Sequence, residues 1–261
     1  MVTTRIAVLG LGEAGAEIAR DLVAAGADVR GYDPRVPSVP GVEPRTGEAD
    51  AVHDADLVLS VNSSHDAADA LAAALPALRE GTLWADLNTT SPGLKAALAE
   101  TARPVVPVVD VALLAPVPGK GLRTPMLVSG EGAERFAELL AAFGADVTVQ
   151  PGPAGTAISR KLLRSVFYKG LAAAVVEALA GAEAAGCRDW LAENVRSELE
   201  AFDGRTLDRL VEGTHRHARR RAEEMAAAAR QLDDLGVPSR VSRAARDLLV
   251  DLRDHPERRP G

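Results

Sequence analysis

The sequence predicts an α/β chain: a doubly wound, parallel sheet over residues 1–151, followed by an all-α domain over residues 152–261. Two observations carry this expectation. Apolar, strand-like runs alternate with helical patterns as far as "DVTVQ" (146–150), the order that βαβ units require. Beyond "QPGPAG" (150–155) the texture changes, and helical patterns alone fill the chain.

Taken in order, "RIAVLG" (5–10) reads as a buried strand and residues 13–25 as a helix. "DVRGYD" (28–33) is a second strand. The loop after it is stiffened by Pro34, Pro37, Pro40 and Pro44, with a short strand near 42–45. "LVLSV" (57–61) and "TLWADL" (82–87) are strands, with Ala/Leu-rich helices over 65–79 and 92–102. "PVVPVVDVAL" (104–113) and "PMLVSG" (125–130) read as strands, residues 131–142 as a helix and "DVTVQ" as the last strand. Helices are expected over 155–184, 187–201, 205–235 and 238–253, punctuated by Gly186, Gly204 and "GVPS" (236–239). The tail "DHPERRPG" (254–261) reads as frayed.

Apolar residues make up 47 % of the chain and aromatics only 3 %, so the core must be built from Ala, Leu and Val. A net charge of −7 argues against nucleic-acid binding. The basic stretch "HRHARRRAEEM" (215–225) sets Arg219 against Glu223 and Arg220 against Glu224, the pattern of a solvated helix face. A lone cysteine, Cys187, reads as a small, partly buried apolar residue and fits a reducing, cytoplasmic setting. The opening "MVTTRIAVLGLGEAG" does not read as a signal peptide, and no stretch offers the roughly 18 uncharged apolar residues of a membrane span. No spacing suggests a metal site. Lysines are few (Lys95, Lys120, Lys161 and Lys169), so each merits separate attention.

The first strand runs into "LGLGEAG" (9–15), a G-x-G-x-x-G loop that opens a helix. Gly10 allows the tight turn, Gly12 lets backbone approach a pyrophosphate, and Gly15 lets helix and strand pack closely. The amides of Leu11, Gly12, Glu13 and Ala14 would face phosphate oxygens at the helix start, with the Glu13 side chain in solvent. The second strand ends in Asp33, where an acid grips the adenosine ribose, so the loop predicts NAD or NADP with NAD favoured. Arg30 and Arg35 flank Asp33 and could reverse that preference. Asn62 and Ser63 in "VNSS", and Asn88 and Thr89 in "DLNTTSPG", follow later strands and offer polar side chains to ribose or nicotinamide. The same loops also read as helix N-caps.

The helix "GTAISRKLLRSVFYKGLAAAVVEAL" opens the second domain and reads as largely buried. Lys161, Ser165 and Tyr168 share one face of it, flanked by Arg164. A partly desolvated lysine beside a cationic nicotinamide could exchange a proton with a substrate oxygen; the alternative is an ordinary snorkelling lysine.

Together, "VLGLGEAG", "YDP", "DLNTTSPG", "APVPGKG" and "GTAISRKLLRS", in that order, resemble the β-hydroxyacid dehydrogenases of the 6-phosphogluconate dehydrogenase-like superfamily, which includes 3-hydroxyisobutyrate dehydrogenases. The resemblance spans almost the whole chain. It is nearest to a subgroup carrying a helix like "RKLLRSVFYKGLAAAVVEAL" and a later "HARRRAEEM". It implies that Lys161 is the catalytic acid/base. The family pattern G-x-G-x-x-x-K-x-x-N-N falls on Gly155, Ala157, Lys161, Arg164 and Ser165, so both asparagines are replaced. The family's substrate loop D-A-P-V-S-G-G falls on "LAPVPGKG", with Leu114 for the acid and Pro118 for the serine. Pro118, Gly119, Lys120 and Gly121, with Arg164, Ser165 and Tyr168, would then hold a small anionic substrate, the two glycines through their amides.

The expected protein is an NAD(P)-dependent oxidoreductase, passing hydride between nicotinamide and a small hydroxy acid or its oxo form. Its Ala-rich helices suggest a homodimer. The alternatives are an imine reductase on the same fold and a non-catalytic dinucleotide-binding module.

Overall fold

The computed structural model describes residues 4–257. The first residues of the opening segment and the end of the expected frayed tail lie outside the described residues.

Eight strands among these residues form one sheet in the order β3-β2-β1-β4-β5-β6-β7-β8. They are β1 (Arg5–Leu9), β2 (Asp28–Tyr32), β3 (Glu43–Pro44), β4 (Leu57–Ser60), β5 (Leu83–Asp86), β6 (Val108–Leu113), β7 (Met126–Ser129) and β8 (Val147–Val149). Helices α1 (Glu13–Ala24), α2 (Glu48–Val52), α3 (Ala67–Ala74), α4 (Pro92–Ala102) and α5 (Ala133–Ala141) connect them. The chain order reverses between β1 and β4, both parallel to their neighbours, which makes the space above their carboxyl ends the switch point of a doubly wound sheet. The expected Rossmann-type architecture is therefore the observed one.

Alternation along each strand explains why both sheet faces are covered. Ile6, Val8, Leu57, Leu59, Leu83 and Ala85 point into one core with Ile18 and Leu22 of α1 and Phe136 of α5. Ala7, Leu9, Val58 and Trp84 point into the other, with Leu71 of α3 and Leu98 of α4. A strand buried on both faces reads as a continuous apolar run, as "IAVL" and "LVL" do.

Three features depart from the sequence reading. β7 runs antiparallel to β6, because residues 114–125 provide no crossover helix to return the chain in the same direction. α2, only five residues long, has no visible period. The single helix expected over 205–235 is two, α8 (Gly204–Arg216) and α9 (Ala218–Asp234), because His217 leaves helical geometry at φ −116° and ψ 21°. A one-residue break hardly disturbs a helical pattern, so the sequence conceals it.

The chain forms two compact units, residues 1–164 and 165–261. The division falls inside helix α6 (Thr156–Ala184), later than the change of texture near 151. The second unit is helical, with the rest of α6 followed by α7 (Arg188–Glu200), α8, α9 and α10 (Arg240–Asp254). Within it, Glu177 caps α10: its carboxylate accepts hydrogen bonds from the Val241 and Ser242 amides and the Ser242 hydroxyl, each at 2.7 Å. Burial alone would raise that carboxyl. The hydrogen bonds from the Ser242 side chain and the Val241, Ser242 and Arg240 backbone outweigh it and hold the group below its ordinary value.

The expectation that the Lys161 helix is largely buried does not hold for a single chain. Leu163 is 69 % exposed, Val166 74 % and Val176 68 %. Among the described residues, Leu162, Phe167 and Tyr168 are also exposed. Cys187, expected to be partly buried, is exposed as well.

Candidate functional site

The glycine loop lies at the switch point and is held from two sides. Gly10 sits at φ +96°, and a Cβ there would come within 2.6 Å of the Val61 carbonyl oxygen and 2.7 Å of the Asn62 nitrogen. A Cβ at Gly15 would sit 1.9 Å from the Gly10 carbonyl oxygen. Gly12 differs: a Cβ there would meet nothing within 4 Å. Packing therefore requires the outer two glycines, whereas the middle one leaves open space at the start of α1. No side chain caps that helix, so its opening amides, which have no partner within the helix, are available to an anionic ligand.

A cleft of about 260 Å³ adjoins the loop and is lined by Gly10, Gly12, Tyr32, Asp33, Pro34, Arg35, Glu48, Val61, Asn62, Asp66, Asp69 and neighbouring residues. Asp33 braces the loop: Oδ2 accepts from the Leu11 amide at 2.8 Å, and Oδ1 accepts from the Arg35 and Val36 amides at 2.8 and 3.1 Å. Oδ1 is filled by its two amide bonds, whereas Oδ2, which accepts one, retains acceptor capacity for a ribose hydroxyl. Arg30 is engaged away from the cleft, its Nη1 donating to the His53 carbonyl and its Nε pairing with Glu43. These features fit a dinucleotide: an uncapped helix start for the pyrophosphate, space over Gly12, and an acid at the end of β2. Glu13 and Ala14 occupy the first turn of α1, with Glu13 exposed as expected.

The polar loops after β4 and β5 form one network. The two N–H groups of Asn88 Nδ2 are shared among Asp86 Oδ1 at 2.5 Å, Asn62 Oδ1 at 3.0 Å and Ser60 Oγ at 3.1 Å. Asn62 thus reaches the cleft, and Asn88 is buried behind it. Ser63 instead makes a turn ahead of α3, accepting from the His65 and Asp66 amides, and Ser91 caps α4. The helix-cap reading of these two loops therefore holds at Ser91 and not at Ser63, because α3 has no side-chain cap.

Thr89 is exposed, and its Oγ1 accepts a 2.8 Å hydrogen bond from Lys161 Nζ. Lys161 is half-buried, not fully buried. Arg164 Nη1 donates to the Leu114 carbonyl at 3.0 Å, so the arginine that replaces an asparagine meets the backbone at the position where the family motif has its acid. Ser165 and Tyr168 follow on the same helix, within the second unit.

The loop carrying Pro118, Gly119, Lys120 and Gly121 does not offer its amides as expected. Gly119 N–H donates to Glu17 Oε1 at 2.7 Å, and the Lys120 and Gly121 amides both donate to the Val117 carbonyl. Leu122 N–H donates to Asp21 Oδ2 at 2.8 Å. Glu17 and Asp21 are four apart and share one face of α1, so the loop is fastened to that helix and its glycine amides are already engaged.

Sequence reasoning missed the group beneath the site. Lys95, Asp86 and Asp110 are all 0 % exposed. Lys95 Nζ lies 2.8 Å from Asp86 Oδ2 and 3.3 Å from Asp110 Oδ1, and donates to the Asp86 carbonyl at 2.5 Å. Asp110 Oδ2 accepts from the Gly155 and Ile158 amides, both at 3.0 Å, and from the Ser129 hydroxyl, while Ser129 Oγ accepts from the Ala157 amide. Strands β6 and β7 therefore cap the start of α6 from below. Two signals were available: an aspartate inside the apolar run "VVDVAL", and a lysine aligned with Leu98 and Ala102 on the inward face of α4. Among the described residues, no group of three His, Cys, Asp or Glu is placed to hold a metal ion.

Comparison with known proteins agrees with this geometry. Residues 5–150 match the family described as the NAD binding domain of 6-phosphogluconate dehydrogenase, and residues 182–252 match a domain of unknown function (DUF1932). A conserved hypothetical protein from Sinorhizobium meliloti 1021 is 32 % identical, covering 95 % of this chain and 88 % of its own, with a TM-score of 0.63. A conserved protein of unknown function, described as structurally similar to 3-hydroxyacid dehydrogenases, is 24 % identical over 98 % of this chain and 100 % of its own, with a TM-score of 0.63. An imine reductase variant from Myxococcus stipitatus, in complex with NAD⁺, shares the fold at 18 % identity and a TM-score of 0.76, covering 98 % of this chain and 94 % of its own.

The glycines give a test of the loop. Gly12→Ala should fold with an unchanged melting temperature and lose at least tenfold in NADH affinity, because its Cβ meets only the space left for the ligand. Gly15→Ala should fail to fold or melt far lower. Thermal melts and NADH fluorescence titration separate the two outcomes, and undiminished NADH affinity in Gly12→Ala would refute the assignment of the loop.

Proposed function

Given that the chain belongs to the family of the NAD binding domain of 6-phosphogluconate dehydrogenase, we propose that it is a nicotinamide-dependent oxidoreductase acting on a small hydroxy acid or its oxo form, with Lys161 as acid/base. The observation that carries this reading is the Lys161 Nζ to Thr89 Oγ1 hydrogen bond, which holds an amine at the loop following β5, on the carboxyl-end side of the sheet. A bound nicotinamide supplies or accepts the hydride. As the alcohol is oxidised, the Lys161 amine takes the hydroxyl proton, and in the reverse direction it returns that proton to the oxo oxygen. Thr89 orients the amine. Arg164 is the group suited to a substrate carboxylate.

NAD is the preferred cofactor in this reading. Asp33, Glu48, Asp66 and Asp69 line the cleft beside a single arginine, Arg35, and Arg30 is engaged elsewhere. Four carboxylates would repel a 2′-phosphate more than one guanidinium could attract it.

One observation favours a second reading, imine reduction. The glycine amides of the 118–121 loop are bonded within the chain, which removes one expected carboxylate holder and suits an uncharged C=N substrate. Turnover followed at 340 nm with hydroxy acids, oxo acids and cyclic imines distinguishes the two. Lys161→Met should keep NADH binding and lose about 10²–10⁴ in turnover, the usual contribution of a positioned acid/base. Unchanged turnover in that variant would exclude the role, and tight NADH binding with no turnover on any substrate would leave only a dinucleotide-binding module.

We also propose a homodimer formed through α6. This helix is long and apolar enough to cross a membrane by length and composition, yet Glu177 within it caps α10 and Gly181 packs on Leu232. A second copy of the chain is the occupant suited to its exposed Leu163, Val166 and Val176, because permanent interfaces resemble a core cut in half. Light scattering without detergent should give twice 27.2 kDa. A monomer at every concentration, or a particle that needs detergent, would contradict the dimer.

A further inference from the structure

We propose that Lys95 is a positioning residue that sets where the Lys161 amine sits, through two arms that start at one buried ammonium group and close on the Lys161–Thr89 hydrogen bond. This inference rests on the reading of Lys161 as the acid/base.

The first arm runs along β5. Lys95 pairs with Asp86 Oδ2 and also donates to the Asp86 carbonyl, fixing that residue at both its side chain and its backbone. The other carboxylate oxygen, Oδ1, accepts from Asn88 Nδ2, and Asn88 is adjacent to Thr89. The second arm runs through β6. Lys95 pairs with Asp110 Oδ1, and Asp110 Oδ2 receives the Gly155 and Ile158 amides at the start of α6. Ile158 lies one helical turn before Lys161, so the rotation and height of that turn are set by Asp110. The arms meet where Lys161 Nζ donates to Thr89 Oγ1.

The cluster is an expensive way to fill space. It buries one cation and two anions completely, and apolar side chains of the same volume would avoid the desolvation. What apolar side chains could not do is hold two separate backbone segments in a fixed relation by directed bonds. Asp110 tolerates burial because the helix-start amides and the Ser129 hydroxyl share its charge with Lys95. Removing Lys95 would leave two buried carboxylates facing each other. Both arms would then have to shift, and Lys161 would move relative to Thr89 although neither residue was altered.

The scarcity of lysine makes this measurable. Protein labelled with ¹³C at lysine Cε gives four side-chain signals, from Lys95, Lys120, Lys161 and Lys169, assigned by single substitutions. Lys120, which is exposed and lies outside α6, serves as the reference. In Lys95→Met the Lys161 signal should move toward that of Lys120, while the Lys120 signal stays in place and NADH affinity changes by less than threefold. A Lys161 signal that does not move would overturn the proposal. Should Lys95→Met fail to fold, Asp110→Asn decides the matter: it keeps the shape and removes one charge, and the same movement is expected, with an unmoved signal again overturning the proposal. If the native protein proves inactive on every substrate, the acid/base reading fails, but the position of the Lys161 signal still reports whether Lys95 places it.

Discussion

A single ammonium group buried beneath the sheet's carboxyl end is the constraint on which the rest of the site depends. Lys95 reaches from α4 to the last residue of β5 and to the middle of β6, and Asp110 carries its influence to the first turn of α6. The residues that could do chemistry, Thr89 and Lys161, are partly or fully exposed, and solvent would otherwise leave their side chains to sample many rotamers. Placing the directional bonds below them, in a region with no water to compete, turns two loosely held surface groups into a defined pair. Breaking a buried pair by removing one partner typically costs about 3–5 kcal/mol, a large share of a domain's net stability.

The glycine loop follows a complementary logic. Gly10 and Gly15 are required by packing, since the chain's own carbonyls stand where a Cβ would be. Gly12 is required by nothing in the protein. Space left open at the start of an uncapped helix, beside a cleft whose acid already braces the loop backbone, is explained by a ligand. The acid-lined half of that cleft and Thr89, which accepts the Lys161 hydrogen bond, follow carboxyl ends of strands of the same sheet, where doubly wound folds bind ligands.

The strands were legible because burial on both faces makes them continuous apolar runs, and the loop was legible because its glycines lie between a strand and a helix. Other features were not. The antiparallel β7 depends on the absence of a crossover α-helix in residues 114–125, which hold only a short 3-10 turn, and a missing element leaves no periodic pattern. The 118–121 loop looked like an anion holder until its partners, Glu17 and Asp21, proved to lie about a hundred residues earlier on α1, at separations of 102 and 101. Lys95 lies in an ordinary Ala/Leu helix, and only its alignment with Leu98 and Ala102 indicated that it points inward. Pairing between distant positions is a tertiary fact, and one sequence contains little of it. The long α6 was read as buried because its composition is that of an interior helix, yet Leu163, Val166 and Val176 are exposed.

Lys95, Asp86 and Asp110 act as one unit, and a thermodynamic cycle on unfolding free energies tests their coupling directly. Lys95→Met alone should cost about 3–5 kcal/mol, whereas adding Asp86→Asn and Asp110→Asn should restore part of that loss, because the stranded charges are gone. A triple variant more stable than Lys95→Met alone is the predicted result. Losses that simply add across the three positions would show that the groups do not depend on one another, and the account built on them would fail.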